Sequence, residues 1–236
     1  MPGYRTKQET IAVAGVADLV IRSLLDRQQF ADADGAAERL GISSAGWPMF
    51  GVAWPSGAQL AALLALRPVT PGERILEIGC GLALASLVAH RRGADVTASD
   101  RHPLAADFLR ANLRLNRLVP MKYLHGDWAA AVDPDHSYGG LDRAVAGGRF
   151  DLIVGSDILY EPDLGGDLAG FIGRHAEAEC EVWVVDPDRS NRPAFHRRMA
   201  DAGFALSQER IDRPATALAD AYKGRRLVYR RKLASH

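Results

Sequence analysis

Few folds accommodate the stretch Arg74–Asp100. It reads Arg-Ile-Leu-Glu-Ile-Gly-Cys-Gly-Leu-Ala, then a helix-length run, then Asp-Val-Thr-Ala-Ser-Asp. The apolar run Ile75–Ile78 predicts a buried strand, Gly79 and Gly81 a turn with no side chains in the way, and the alanine-rich run from Ala83 the helix that follows. A strand, a glycine turn and a helix make a nucleotide cradle. Asp100 closes a second apolar strand, Val96–Ser99, where a carboxylate can accept hydrogen bonds from the two hydroxyls of a ribose.

Glu77, two residues before Gly79, narrows the choice of nucleotide. A dinucleotide loop offers amide N–H groups to a pyrophosphate, which an adjacent acid would repel. S-adenosylmethionine has no phosphate and carries a sulfonium and an ammonium, which an acid at the strand end would attract. The glycine spacing agrees, because Leu84 stands where the dinucleotide fingerprint has its third glycine. The chain is therefore expected to bind S-adenosylmethionine.

The rest of the chain repeats the same unit. Short apolar strands are predicted at 74–78, 95–99, 121–124, 150–155 and 180–186, with helices near 83–92, 103–117, 163–175 and 193–202. That alternation implies βαβ units and a parallel sheet covered on both faces. Two further strands, near 204–211 and 225–231, lack a long helix between them and predict a closing antiparallel pair. The sum is a Rossmann-like, seven-stranded α/β sheet. Ahead of it, Ile11, Val16, Leu19, Val20 and Leu24 fall at helical spacing, so residues 7–29 are expected to form an amphipathic helix. This divides the chain into an N-terminal helical extension, 1–45, and one catalytic domain, 46–236. The segment 133–149, with four glycines, reads as a flexible loop without assigned chemistry.

Composition excludes several classes of function. Lys+Arg and Asp+Glu both total 29, so net charge gives no argument for a polyanionic partner. Cys80 and Cys180 have no paired spacing, and the seven histidines form no ligand pattern, so no metal is expected. No apolar run approaches the ~20 residues that span a bilayer, and a cytoplasmic enzyme is the expectation. The basic run Lys223-Gly-Arg-Arg226 with Arg230-Arg-Lys232 reads as a solubility device on an edge strand, not as an RNA-binding surface.

Four stretches between residues 46 and 232 resemble the seven-strand methyltransferases grouped with protein-lysine methyltransferases, including those of the electron-transfer flavoprotein β subunit. They are Trp54-Pro-Ser-Gly57, Leu76-Glu-Ile-Gly-Cys-Gly81, Gly126-Asp-Trp128 and Ser156-Asp-Ile-Leu-Tyr160. The resemblance implies methyl transfer beside Asp157 and Tyr160. It also implies adenine contacts from Asp127 to the exocyclic amine and from Trp128 to the ring face. Trp54, fixed between Ala53 and Pro55, would wall the cofactor, with Glu77, Gly79, Gly81, Asp100 and Ser156 completing its site.

Each position also has a physical reading. Residues that follow a strand of an open parallel sheet face the crevice, as Ser156, Asp157 and Tyr160 do after Phe150–Gly155. Asp157 can orient an incoming amine or accept its proton, and Tyr160 can turn its ring face to a cationic nitrogen. The same residues also suit a helix cap and a packing tyrosine. Asp186-Pro-Asp-Arg189 either contacts substrate or makes a turn. Trp54, Asp157, Tyr160 and Asp186 together predict an acidic, aromatic rim that attracts a cationic side chain. The family resemblance implies methylation of a lysine side chain on a protein, and such a rim agrees with it. A small-molecule amine or pyridine N-methyltransferase, and a non-catalytic cofactor-binding partner protein, are the alternatives.

Overall fold

The computed structural model describes residues 3–129, 148–163, 165–215 and 220–231. Residues 133–147 of the expected glycine-rich loop, and Lys232, lie outside them. Among the described residues no helix is long and apolar enough to cross a membrane.

The chain opens with β1 (Thr6–Ile11) and β2 (Leu19–Leu24), an antiparallel hairpin where an amphipathic helix is expected. The helical spacing of Ile11, Val16 and Leu19 competes with a period of two, in which Leu19, Ile21 and Ser23 are buried while Val20 and Arg22 face outward. Gly15, at φ +90°, takes a backbone conformation that a helix cannot use. A short helix α1 (Ala36–Arg39) and a 3₁₀ turn (Trp47–Gly51) lead to α2 (Pro55–Leu66).

From there strands and helices alternate. They are β3 (Arg74–Ile78), α3 (Leu84–Arg91), β4 (Asp95–Asp100), α4 (Ala105–Leu115), β5 (Lys122–His125), β6 (Phe150–Ser156), α5 (Asp167–His175), β7 (Ala176–Asp186) and α6 (Arg192–Asp201). The antiparallel pair β8 (Phe204–Arg213) and β9 (Tyr222–Arg231) closes the chain. The seven strands lie in the order β5-β4-β3-β6-β7-β9-β8, with β3 to β7 parallel and β9 antiparallel to β7. This is the expected Rossmann-like sheet.

Alternation along each strand feeds two apolar layers. Leu76, Ile78, Ile153, Val182 and Val184 join α5 and α6 residues such as Ile172 and Met199. Ile75, Val96 and Val154 join Leu60, Leu64, Leu87 and Phe108, and Leu19, Ile21 and Leu24 of the hairpin enter the same layer. The hairpin is further tied to α4. Asn112 accepts from the Arg22 amide at 2.7 Å, and Asn116 accepts from the Val20 amide at 3.0 Å while donating to the Val20 carbonyl at 2.8 Å. These amides satisfy backbone groups that a free strand edge would leave to water.

The arginines of β9 correct one expectation, since β9 lies inside the sheet and β8 is the edge. Arg226 lies 3.9 Å over the Trp183 ring, Arg230 pairs with Glu181 at 2.6 Å, and Arg231 donates to the carbonyls of Ala176 and Glu177. These cations brace neighbouring strands, with Arg230 still exposed to solvent. The sheet order also turns at β3, with β4 and β5 on one side and β6 and β7 on the other. Ligands of open α/β sheets bind outside the strand ends at such a reversal.

Candidate active site

Gly79 and Gly81 follow β3 at φ +58° and +52°. A Cβ on Gly81 would stand 2.9 Å from the Phe50 carbonyl oxygen, and one on Gly79 would stand 3.0 Å from Ile158 and 3.5 Å from Trp128. Both the conformation and the room require glycine. The Cys80 amide donates to the Ser99 carbonyl at 3.0 Å, which ties the turn to the end of β4.

Asp100 is built into the same turn. Its Oδ2 accepts from the Gly81 amide at 2.8 Å and its Oδ1 from the His102 amide at 2.8 Å. Burial raises its pKa above the ordinary value, against the pull of those two amides. Each oxygen keeps a further acceptor position. His102, stacked on Phe50 with centroids 3.6 Å apart, is pushed down to about 3 by burial and is neutral.

Glu77 sits beneath the turn, 2% exposed, with Oε2 accepting from the Ser86 amide at 2.8 Å in the first turns of α3. It shares a strand face with Ile75, so alternation directs it under the helix. Its part in the site is to fix the helix start behind the glycine turn. Burial pushes its carboxyl up to about 7 from 4.5. A raised folded-state pKa gives stability that is complete below the unfolded value and is lost as pH rises to the folded one. Between pH 4.5 and 7, therefore, the ligand-free protein should lose stability that a Glu77→Gln variant retains. Thermal melts of both proteins across that range should differ by a gap that widens with pH, reaching about 6–12 °C near neutrality. Parallel curves would rule this coupling out.

The remaining expected residues fall into separate places. Trp128 is beside Gly79, as a wall over the turn. Asp127 accepts from the Ala129 amide at 3.1 Å within its own turn. Trp54 donates from Nε1 to the Met49 carbonyl at 2.8 Å, with the Arg27 guanidinium 5.5 Å above its ring. Ser156, the last residue of β6, lies against the first turn of α2, its Oγ 3.6 Å from a Cβ placed on Gly57. Tyr160 is 44% exposed, and its hydroxyl lies close to Arg101 after β4, so it reaches across the crevice. Burial raises its pKa above 10.

Asp157 takes a left-handed backbone, φ +55°, a conformation uncommon outside glycine, and its amide donates to the Val185 carbonyl at 2.8 Å. Its Oδ1 accepts from Arg189 Nε at 2.6 Å. Asp186, fully buried at the end of β7, accepts from the Arg189 amide at 2.8 Å and pairs with Arg192 at 3.3 Å. Asp188 pairs with Arg225 at 2.8 Å and Arg192 at 3.2 Å. The expected acidic rim is thereby corrected, because Arg189, Arg192 and Arg225 balance Asp157, Asp186 and Asp188. Arg189 was legible only as part of a turn, and nothing local in the sequence marks Arg192, Arg225 or the 3.0 Å pair of Ser56 and Tyr222 hydroxyls as neighbours of the crevice.

Residues 51–200 match the family model described as lysine methyltransferase. The electron transfer flavoprotein beta subunit lysine methyltransferase of Xenopus laevis is 28% identical over 69% of this chain and 63% of its own length. Protein N-lysine methyltransferase METTL21A of Mus musculus is 28% identical over 70% of this chain and 75% of its own. The chain thus spans under two thirds of the first of these relatives. Among solved structures, magnesium protoporphyrin IX methyltransferase from Synechocystis with bound SAM superposes with a TM-score of 0.54, at 17% identity, over 75% of this chain and 78% of that one. That likeness is one of fold.

Proposed function

This chain belongs to the lysine methyltransferase family, and from that premise we propose that it transfers methyl groups from S-adenosylmethionine to a lysine side chain on a protein. The observation that carries the proposal is the cradle at the end of β3 and β4. Gly79 and Gly81 make a left-handed turn packed closely on Ile158 and the Phe50 carbonyl, and Asp100 is held by two amides with acceptor capacity left on both oxygens. These residues fit S-adenosylmethionine. Asp100 would accept from the ribose hydroxyls, Trp128 would cover the adenine, and the glycine turn would let the backbone approach closely. When bound, the cofactor supplies an electrophilic methyl group whose bond electrons leave with sulfur as the thioether.

The chain's own residues then hold the acceptor. An amine attacks only through its free lone pair, so the site must take it without its extra proton, and the methylated nitrogen leaves as an ammonium. Positioning and exclusion of water supply much of the acceleration in such an in-line displacement. Asp157 can accept a hydrogen bond from the amine and fix its direction, and the Tyr160 ring can line the approach. Asp157, with Oδ1 paired to Arg189, is held in place to orient the amine. The proposal keeps the chain in the cytoplasm, with a protein and not a nucleic acid as substrate, and treats residues 1–45 as an extension of the catalytic unit.

The test is incubation with methyl-tritiated cofactor and a lysate of a strain lacking the gene, followed by separation into protein, nucleic acid and small molecules. Label is expected in acid-precipitable protein. Recovery only among small molecules would favour the amine-metabolite reading and contradict the proposal.

A further inference from the structure

The crevice beside Asp157 is balanced charge for charge, and that balance bears on how an amine is accepted there. Resting on the lysine reading above, we propose that Arg189 is a positioning residue that cancels the charge of Asp157, so that the site receives the acceptor as a neutral amine. An unpaired carboxylate against the acceptor would hold it as an ammonium, which has no lone pair to donate. Arg189 prevents this at 2.6 Å while leaving the second Asp157 oxygen to accept from the amine.

The arrangement is fixed from both ends. The Arg189 backbone is anchored, its amide on the buried Asp186 and its carbonyl accepting from Arg192 Nε at 3.1 Å. Asp188 before it is left-handed, φ +66°, as is Asp157 itself at φ +55°. Those two turns precede or carry the pair itself, in which Arg189 Nε meets Asp157 Oδ1 across 32 positions of sequence. The other charged or titratable groups nearby each have at least one partner of their own among the described residues. Asp186 and Asp188 are occupied by Arg192 and Arg225, and Tyr222 from β9 is neutral, bonded to Ser56 and pushed up to about 12 by burial. Across the crevice Arg101 faces Tyr160.

The proposal predicts opposite effects on binding and on turnover. Arg189→Gln exposes the Asp157 charge, so a fixed cation should bind more tightly. Titrating Nα-acetyl-Nε-trimethyllysine amide in the presence of S-adenosylhomocysteine should show about a tenfold gain over wild type. The carbon analogue, with a tert-butyl group in place of the trimethylammonium and so neutral and of the same shape, should show none. With a saturating lysine-bearing protein acceptor, the rise of kcat with pH should shift about one unit upward in Arg189→Gln and downward in Asp157→Asn. Arg189→Lys and the double variant Asp157→Asn with Arg189→Gln should return both readouts toward wild type. S-adenosylhomocysteine affinity within about threefold of wild type certifies the fold of each variant. Equal cation affinity in wild type and Arg189→Gln, or an unshifted profile in active enzyme, overturns the role of Arg189. A wild type that labels no protein lysine fails the underlying reading instead, whatever the cation titration shows for Arg189.

Discussion

Asp100→Ala is expected to lower affinity for S-adenosylmethionine and S-adenosylhomocysteine by at least ~100-fold. The loss has two sources. On the proposed reading the carboxylate accepts from both ribose hydroxyls, and hydrogen bonds to a charged partner contribute about 1.5–3 kcal/mol each. It also holds the Gly81 and His102 amides, so its removal slackens the glycine turn and strands two donors. Asp100→Asn keeps one carbonyl acceptor and should fall between the two. Calorimetry on the three proteins, each checked by melting, reads the order directly, and NAD should not compete in any of them. Unchanged affinity in a folded Asp100→Ala protein would place the cofactor elsewhere.

Removal of Asp157 or Tyr160 should act on turnover instead. Asp157→Asn and Tyr160→Ala are each expected to lower kcat at least ~10-fold while cofactor affinity stays within about threefold, because their contacts form with the acceptor in the transition state. Asparagine is the better probe at position 157, since it tolerates the left-handed backbone at φ +55° that alanine resists. Tyr160→Phe separates ring from hydroxyl. If the ring lines the approach, phenylalanine keeps most of the activity; if the hydroxyl near Arg101 matters more, it behaves like alanine. Full activity in folded Asp157→Asn and Tyr160→Ala would make both residues structural.

The sheet was legible where one pattern had no rival. Ile75–Ile78 and Val96–Ser99 are apolar runs bounded by glycine and acid, and they emerge as β3 and β4 within a residue of expectation. β7 begins at Ala176, four residues before the expected start, because its pairing with β6 is irregular between Phe150 and Leu152 and lets Ala-Glu-Ala-Glu join the strand. The hairpin escapes the sequence pattern because the apolar residues of 11–24 suit a helix as well as a strand, and docking onto Asn112 and Asn116 of α4 decides between them.

The site followed the same division. Gly79, Gly81 and Asp100 lie where a local strand-turn-helix logic puts them. Charge alone points Glu77 at a ligand, whereas strand alternation places it beneath α3. The arginine partners of Asp157, Asp186 and Asp188 come from a loop, a helix and a distant strand. Pairing of that kind is decided by the assembled sheet and has no local signature.

The central claim is that the methyl group ends on a lysine nitrogen of a protein. The most direct measurement is acid hydrolysis of the tritium-labelled protein fraction and separation of its amino acids. Label is expected to co-migrate with mono-, di- or trimethyllysine, at a rate of formation that rises from about pH 7 to 9 as the amine, with an ordinary pKa near ~10.4, yields more free base. Label on methylarginine or methylhistidine, or none retained by protein, would contradict it.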